Sequence, residues 1–423
     1  MPEFLFPGVF VEETGFRATP IDGVPTDIAA FIGPTRKGPV GVASKPLTSF
    51  LDFERRYGGL QDILFVGDTL ALHRRNYMAH AALAFFSNGG KRLYVVRVVA
   101  GFRKSAVSPG PLVPGFLSRL AAAVATEYAA ACACLESIPE VFTVAAPGHS
   151  ALAGLLDDAG GENDSVYRAI QGALLAHVAE PQRYRMAVVD PPPGATPDEM
   201  RDLRDRIDGS HAALYYPWVV VANPLAGTRP KQPAELALPP SGFVCGIYAR
   251  NDIERGVHNA PANVEVIGAL RLERDVTAAE QELLNPLGVN TIRALPGRGL
   301  RVWGARTLSN DPEWKYVSVR RYFNFVSASI ERGMPWTVFE PNGDTLWAQV
   351  RDTISNFLRS QWQTGALQGR KPEEAFFVHC DRTTMTQDDI DNGRLICVIG
   401  LAPVKPAEFV IVRIGLWTSD HKP

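Results

Sequence analysis

Asn88-Gly89-Gly90, followed by Leu93-Tyr94-Val95-Val96-Arg97-Val98-Val99, is the stretch that decides the fold. Residues 68–86 carry the pattern of an amphipathic helix. The paired glycines stop it, because they reach chain-reversing backbone conformations at no Cβ cost. The run after them is apolar on both faces of a period-two strand, so it needs cover above and below. Helix, double glycine and buried strand together predict an α/β layer structure.

The same grammar repeats outward. Ile28-Ala29-Ala30-Phe31-Ile32-Gly33 reads as a strand broken by Gly33-Pro34, and Thr48 or Ser49 caps a short helix that Gly58-Gly59 stops. Downstream come a strand over 142–148, a helix over 165–179 and a strand over 185–190. Pro197-Asp198-Glu199 then opens a helix in favourable N1-to-N3 order, and 215–222 reads as a further strand. This alternation predicts a doubly wound mixed sheet of the α/β class. Residues 101–140 depart from it: Pro109, Pro111 and Pro114 precede an Ala-rich helix from Ala121 to Cys134, read as an insertion. Thr277-Ala278-Ala279-Glu280 has the form of a capping box.

From 285 the pattern shifts to an α+β domain. Its expected elements are a strand at 300–303, a helix over 314–332, a strand at 337–339, a helix over 344–362 and strands at 376–380 and 395–399. The expected organisation is an N-terminal arm 1–27, an α/β domain 28–284, an α+β domain 285–402 and a C-terminal arm 403–423.

Both ends read as strands. Gly8, Val9, Phe10, Val11, Glu12 and Glu13 form a short apolar strand in the N-terminal arm. Phe409, Val410, Ile411, Val412, Arg413 and Ile414 form one in the C-terminal arm, apolar on both faces and reached through Pro403 and Pro406. Such strands must pair with a sheet. Two readings stay open on the residues alone: the ends fold back on their own subunit, or they add to sheets of other copies.

Composition narrows the function. The chain has 423 residues, net charge −2, 46% hydrophobic and 21% charged residues, which fits a multi-domain globular protein and not a bulk nucleic-acid binder. The N-terminus lacks a secretory signal pattern and no run reaches membrane-span length, so expression in the cytoplasm without membrane insertion is expected. Five cysteines, an odd number with neither disulfide-framework nor zinc spacing, predict free thiols.

Motifs for chemistry are near misses. Gly33 to Gly38 has the glycine spacing of a phosphate loop, but Pro39-Val40 stand where Lys and Ser/Thr are required. Gly297-Arg298-Gly299 precedes a strand and does not join a strand to a helix. His73 and His80 are read on one helix face, without a metal motif, and His379 and Cys380 point to opposite faces of a strand. Asp388-Asp389-Ile390-Asp391 lacks the closing glutamate of a calcium loop and reads as a solvated turn or helix start. No cofactor and no catalytic activity are expected. An α/β enzyme stays a distant alternative, with Asp190 and Asn223 as its only strand-end candidates.

The charged residues Arg250, Asp252, Arg255, Arg306, Arg320 and Arg321 are read either as ordinary surface groups or as ion pairs between subunits. On the helix over 344–362, Arg351, Asp352 and Arg359 occupy the polar side.

Specific stretches resemble contractile tail sheath proteins of phages, R-type tailocins and extracellular contractile injection systems. They include Pro7-Gly8-Val9-Phe10-Val11-Glu12-Glu13, Phe85 to Gly90, Leu284-Asn285-Pro286-Leu287-Gly288-Val289-Asn290 and Arg301-Val302-Trp303-Gly304-Ala305-Arg306-Thr307. Tyr316 to Arg321, Val338-Phe339-Glu340-Pro341-Asn342 and Pro406-Ala407-Glu408-Phe409 complete the ordered set. The resemblance implies a helical tube of stacked six-fold rings around an inner tube protein, with baseplate and terminator partners. It implies that 28–284 lies outside, that 285–402 faces the tube and that both arms donate strands to neighbours. One surface must then touch the tube: the polar side of the helix over 344–362, with Arg351, Asp352 and Arg359, is one reading, and a core helix with a solvated face is the other. The resemblance also implies assembly in the bacterial cytoplasm. A low-copy sheath paralogue or terminator is the alternative within the same family.

Overall fold

The computed structural model describes residues 20–66, 71–98, 116–153, 165–227, 232–409 and 411. The expected N-arm strand at Gly8 to Glu13 lies outside the described residues, as do Val410, Val412, Arg413 and Ile414 of the C-arm strand.

In chain order the elements begin with β1 (Ile28–Gly33), α1 (Phe50–Tyr57), β2 (Ile63–Val66), β3 (Ala71–Arg74), α2 (Tyr77–Ser87) and β4 (Arg92–Arg97). Next are α3 (Phe116–Cys134), β5 (Thr143–Ala145), α4 (His149–Ala153), α5 (Ser165–Ala179), β6 (Met186–Val189), α6 (Pro197–Arg204), β7 (Ala212–Tyr216), β8 (Val219–Ala222) and β9 (Glu235–Leu238). Then come α7 (Ser241–Arg255), β10 (Val264–Glu265), β11 (Ala269–Leu272), α8 (Ala278–Leu284), β12 (Val289–Leu295), β13 (Gly299–Val302) and α9 (Val317–Gly333). The last are α10 (Asp344–Gln363), α11 (Pro372–Ala375), β14 (Phe376–His379), α12 (Gln387–Asp391) and β15 (Val398–Leu401).

The chain divides into two compact units: Val24–Ala328 with the segment from Pro403, and the segment up to Gly23 with Ser329–Ala402. The larger unit holds an eight-stranded sheet among the described residues, in the order β10-β13-β12-β7-β6-β5-β1-β4. From β4 to β12 every neighbouring pair is parallel; β13 and β10 then add antiparallel. Period-two alternation splits the side chains of β1 between two cores. Ala29 and Phe31 pack in one with α1, α2 and α7, while Ile28, Ala30 and Ile32 pack in the other with α3 and α5. The doubly wound mixed sheet expected from the sequence is present.

Local chemistry sets the element ends. Ser49 caps α1, its hydroxyl accepting from the Asp52 N–H at 3.2 Å. Thr196 and Thr277 make full capping boxes with Glu199 and Glu280, as their spacing predicts. Gly89 has φ +103°, and a Cβ there would lie 2.7 Å from the Arg250 Cβ, so glycine is what lets α2 end close against α7.

Five expectations are corrected. Residues 215–222 are two strands in two sheets. Pro217 has no N–H to continue the ladder, so β7 ends at Tyr216 and β8 pairs with β9 and β11 in a three-stranded sheet. Residues 68–86 are not one helix: Asn76 caps α2, its side chain accepting from the Ala79 N–H at 3.3 Å, which leaves His73 on β3 and His80 on α2. The 101–140 insertion fails over its described part. Helix α3 supplies Val124, Tyr128, Ala131 and Cys132 to the same core as β1, making it a crossover layer of the sheet. The boundary at 284/285 also fails, since β12 pairs with β7 and carries β13. The change of pattern there marks the switch from parallel to antiparallel pairing. The strand at 337–339 is replaced by a 3-10 turn over Pro335–Thr337, after which Val338 and Phe339 stand exposed with Phe339 at φ +71°.

Candidate assembly interface

The charged residues singled out in the sequence fall into distinct environments. Arg321, on α9, and Asp252, on α7, form a fully buried bidentate pair with side chains 0% and 3% exposed. The Arg321 guanidinium donates to the two Asp252 oxygens at 2.8 and 2.6 Å and to the Thr26 carbonyl at 3.1 Å, and it lies over the Tyr248 ring at 4.6 Å. The Thr26 hydroxyl donates to the same carboxylate at 2.6 Å. Burial pushes the Asp252 carboxyl up, and the guanidinium opposes that shift. The pair closes within one chain, the Arg321 Nε alone lacking a hydrogen-bond partner among the described residues, which removes both from the set read as intersubunit charges. Their role is to bind the segment entering β1 to α7 and α9.

Arg306 is held differently. Asn290 on β12 donates to the Leu214 and Arg306 carbonyls at 3.2 and 2.8 Å, and its side-chain oxygen accepts from the Arg306 N–H at 2.6 Å. A Cβ on Gly304 would come within 2.9 Å of that oxygen, and one on Gly288 within 2.5 Å of the Thr307 carbonyl, so both glycines permit the close approach. A bridge between Arg306 and Tyr316, with the Thr307 N–H donating to Lys315 at 2.9 Å, sets three polar side chains together. They converge on Glu408. Arg306 donates to its carboxylate at 2.8 and 2.5 Å, Tyr316 at 3.2 Å, and the Lys315 ammonium stands 3.5 Å away. Arg306 also donates to the Asn285 carbonyl at the end of α8 at 2.8 Å. Burial would raise the Glu408 carboxyl, but Arg306, Lys315 and Tyr316 together hold it below the usual range. Just past this node Phe409 and Ile411 are 73% and 81% exposed. A cleft of 420 Å³ adjoins it, walled by Arg204, Arg306, Lys315, Asp205 and Asp311.

The remaining charges are shallower. Arg250 donates to the Glu265 carbonyl at 2.7 Å, and Arg255 is exposed in the last turn of α7. Arg320 is half-buried, stacks over Trp314 at 4.0 Å and donates to Asn324 at 3.1 Å. These three stay open to a neighbour.

The smaller unit is built on α10 and a two-stranded ribbon. Leu346, Trp347, Val350, Ile354, Phe357 and Leu358 form the buried face of α10 at helical spacing. Asp352 and Arg359 are exposed on the other side, with Arg351 half-buried and 3.8 Å from Asp352. Strands β14 and β15 pair antiparallel, Phe376 opposite Leu401 and His379 opposite Val398. Val378 is buried, while Phe377, His379 and Val398 face outward. The Phe377 ring fills the space a Cβ on Gly400 would need, 2.1 Å from that position. Each strand of this ribbon has one strand partner among the described residues, and an unpaired strand edge is a template for a further strand.

Asp190 and Asn223, the enzyme candidates, serve the fold. The Asp190 carboxylate accepts from the Ser241 N–H and hydroxyl at 2.8 and 2.7 Å, capping α7, and burial pushes it up to about 7. Asn223 bonds the Pro233 carbonyl and Leu225 N–H within its own loop. No cluster of three or more His, Cys, Asp or Glu suited to a metal occurs among the described residues, and no described helix is long and apolar enough to cross a membrane.

Residues 157–308 match the phage tail sheath protein central domain, and residues 309–416 match the phage tail sheath C-terminal domain. The chain belongs to the contractile tail sheath family. A putative prophage major tail sheath protein of Pseudomonas aeruginosa (strain UCBPP-PA14) is 27% identical over 191 residues, covering 43% of this chain and 47% of the relative. The match therefore spans about half the length of that curated sheath. The anti-feeding prophage helical sheath in its contracted state superposes with a TM-score of 0.72 at 29% identity, covering 98% of this chain and 99% of that one. The sheath complex of an extracellular contractile injection system, in the contracted state, gives 0.70 at 28% identity with 99% of each chain covered. The sheath motifs within the described residues thus sit on a sheath fold, and the family is one of structural proteins. What sequence reasoning missed is Glu408 as a partner of Arg306; the only signal was that both lie inside quoted motifs.

Proposed function

We propose that this chain is a sheath subunit that polymerises into a helical cylinder around an inner tube and contracts to drive that tube through a target envelope. The observation that carries the reading is the β14–β15 ribbon, each strand of which has one strand partner among the described residues, in a chain whose two ends read as unpaired strands. An arm of a neighbouring copy adding to each edge satisfies both. Heterologous contacts that do not close build helical filaments, and stacked six-fold rings are one such lattice. Ladder bonds stay made during contraction at ~0.5–1.5 kcal/mol net each, while the Pro403 and Pro406 tether absorbs rotation. The bodies then re-pack as rigid units from a kinetically trapped extended state to a contracted state of lower free energy. No nucleotide, metal or catalytic step enters this scheme.

The solved neighbours are a contracted helical sheath and a baseplate assembly, which supports homo-oligomerisation and a baseplate partner. The exposed side of α10, with Arg351, Asp352 and Arg359, is the surface assigned to the inner tube. A terminator would close the distal end. Assembly would take place in the bacterial cytoplasm, as part of a phage tail or tail-like particle. Deleting residues 1–14, or 410–423, tests the reading by negative-stain microscopy and circular dichroism. The expected result is a folded subunit that forms no striated cylinders. Cylinders of normal length from either truncation overturn strand donation.

A further inference from the structure

We infer that Arg306, Lys315 and Tyr316 form a carboxylate cradle that grips Glu408 of the same chain and fixes the point where the C-terminal arm leaves its own body. The inference rests on the strand-donation reading and names the pivot that reading requires. A donated strand transmits force only if its near end is held by the donor. Otherwise the tether reels out when the lattice moves.

Four contacts make the grip: two from Arg306 at 2.8 and 2.5 Å, one from Tyr316 at 3.2 Å and the Lys315 ammonium at 3.5 Å. The bidentate fork fixes direction as well as position. Its platform is rigid, because Asn290 bonds both sides of the Arg306 backbone and Arg306 is tied to the Asn285 carbonyl at 2.8 Å. The Arg306 and Glu408 side chains are only 8% and 17% exposed, so solvent competes little for them. The change in exposure is abrupt: Glu408 is held, while Phe409 and Ile411 stand 73% and 81% exposed. Among the described residues, Glu408 is therefore the last one gripped before the strand meant for a neighbour.

The test uses the full chain. In subunits kept below the assembly concentration, Glu408→Gln should raise hydrogen exchange over 403–409 roughly tenfold, with β12 and β13 unchanged. Unaltered exchange over 403–409 overturns the anchor. Glu408→Arg and Arg306→Glu should each abolish cylinders, and the double variant Glu408→Arg/Arg306→Glu should restore them. An equimolar mixture of the two single variants should not. Restoration by mixing shows that the pair forms between copies; it overturns the same-chain grip and leaves strand donation standing. Cylinders from the 410–423 deletion, with Glu408→Gln still loosening 403–409, show the reverse: the grip stands and donation falls.

Discussion

The eight-stranded sheet and the β14–β15 ribbon use the same backbone chemistry to opposite ends. In the sheet, β1, β5, β6 and β7 have a neighbour on each side and a buried core on each face. In the ribbon each strand has one described partner, and Phe377, His379 and Val398 face outward. Complete pairing gives a body that can be moved without deforming, and an incompletely paired ribbon is the place where the proposed strand donation would act. Two guanidinium–carboxylate pairs repeat the contrast within the larger unit. Arg321–Asp252, at 0% and 3% exposure, locks the interior; Arg306–Glu408, at 8% and 17%, holds the segment that leads into the C-terminal arm. The chemistry is the same, and depth separates a pair inside the body from one at its margin.

The comparison breaks first at the buried pair. Arg321→Ala or Asp252→Ala leaves an uncompensated buried charge and should cost ~3–5 kcal/mol in denaturant unfolding. A loss under about 1 kcal/mol would mean that the interior pair is no more than a surface contact. Next, Gly400→Ala forces a methyl into the Phe377 ring and should destabilise the smaller unit by ~1–3 kcal/mol, seen as faster proteolysis within 376–401. Unchanged proteolysis would show that the ribbon re-packs freely.

Asp190 sharpens the larger unit's side by pH. Its folded value of about 7 lies above the ordinary 3.8, so the native state keeps a proton that the unfolded chain releases. Its contribution is fully present below the ordinary carboxylate range and is lost as pH rises towards 7. Asp190→Asn should abolish that decline, ~1.4 kcal/mol per pH unit at most, read as the difference between two pH–stability curves. The smallest expected effect belongs to α10. Arg359→Ala and Asp352→Ala should each change stability by less than ~0.5 kcal/mol, while altering cylinder formation on the inner tube. A stability loss without an assembly defect would return that face to the body.

Much of the architecture was written locally. Period-two runs gave β1, β4 and β6, the Thr196 and Thr277 capping boxes opened α6 and α8, and Gly58 and Gly89 closed α1 and α2. These features were legible because the interacting atoms lie within a few residues of one another. Unpaired apolar strands in both arms stay an expectation of the sequence, since most of those residues lie outside the described ones, and nothing local pointed to Glu408 as the partner of Arg306. Tertiary structure alone decided that Arg321 turns inward to Asp252, 69 residues away, and that Arg306 meets Glu408, 102 residues away. It alone also joined β12 and β13 to the α/β sheet and split 215–222 at Pro217. Residue type sets what a side chain can bind, and the folded path of the backbone sets which partner comes within reach.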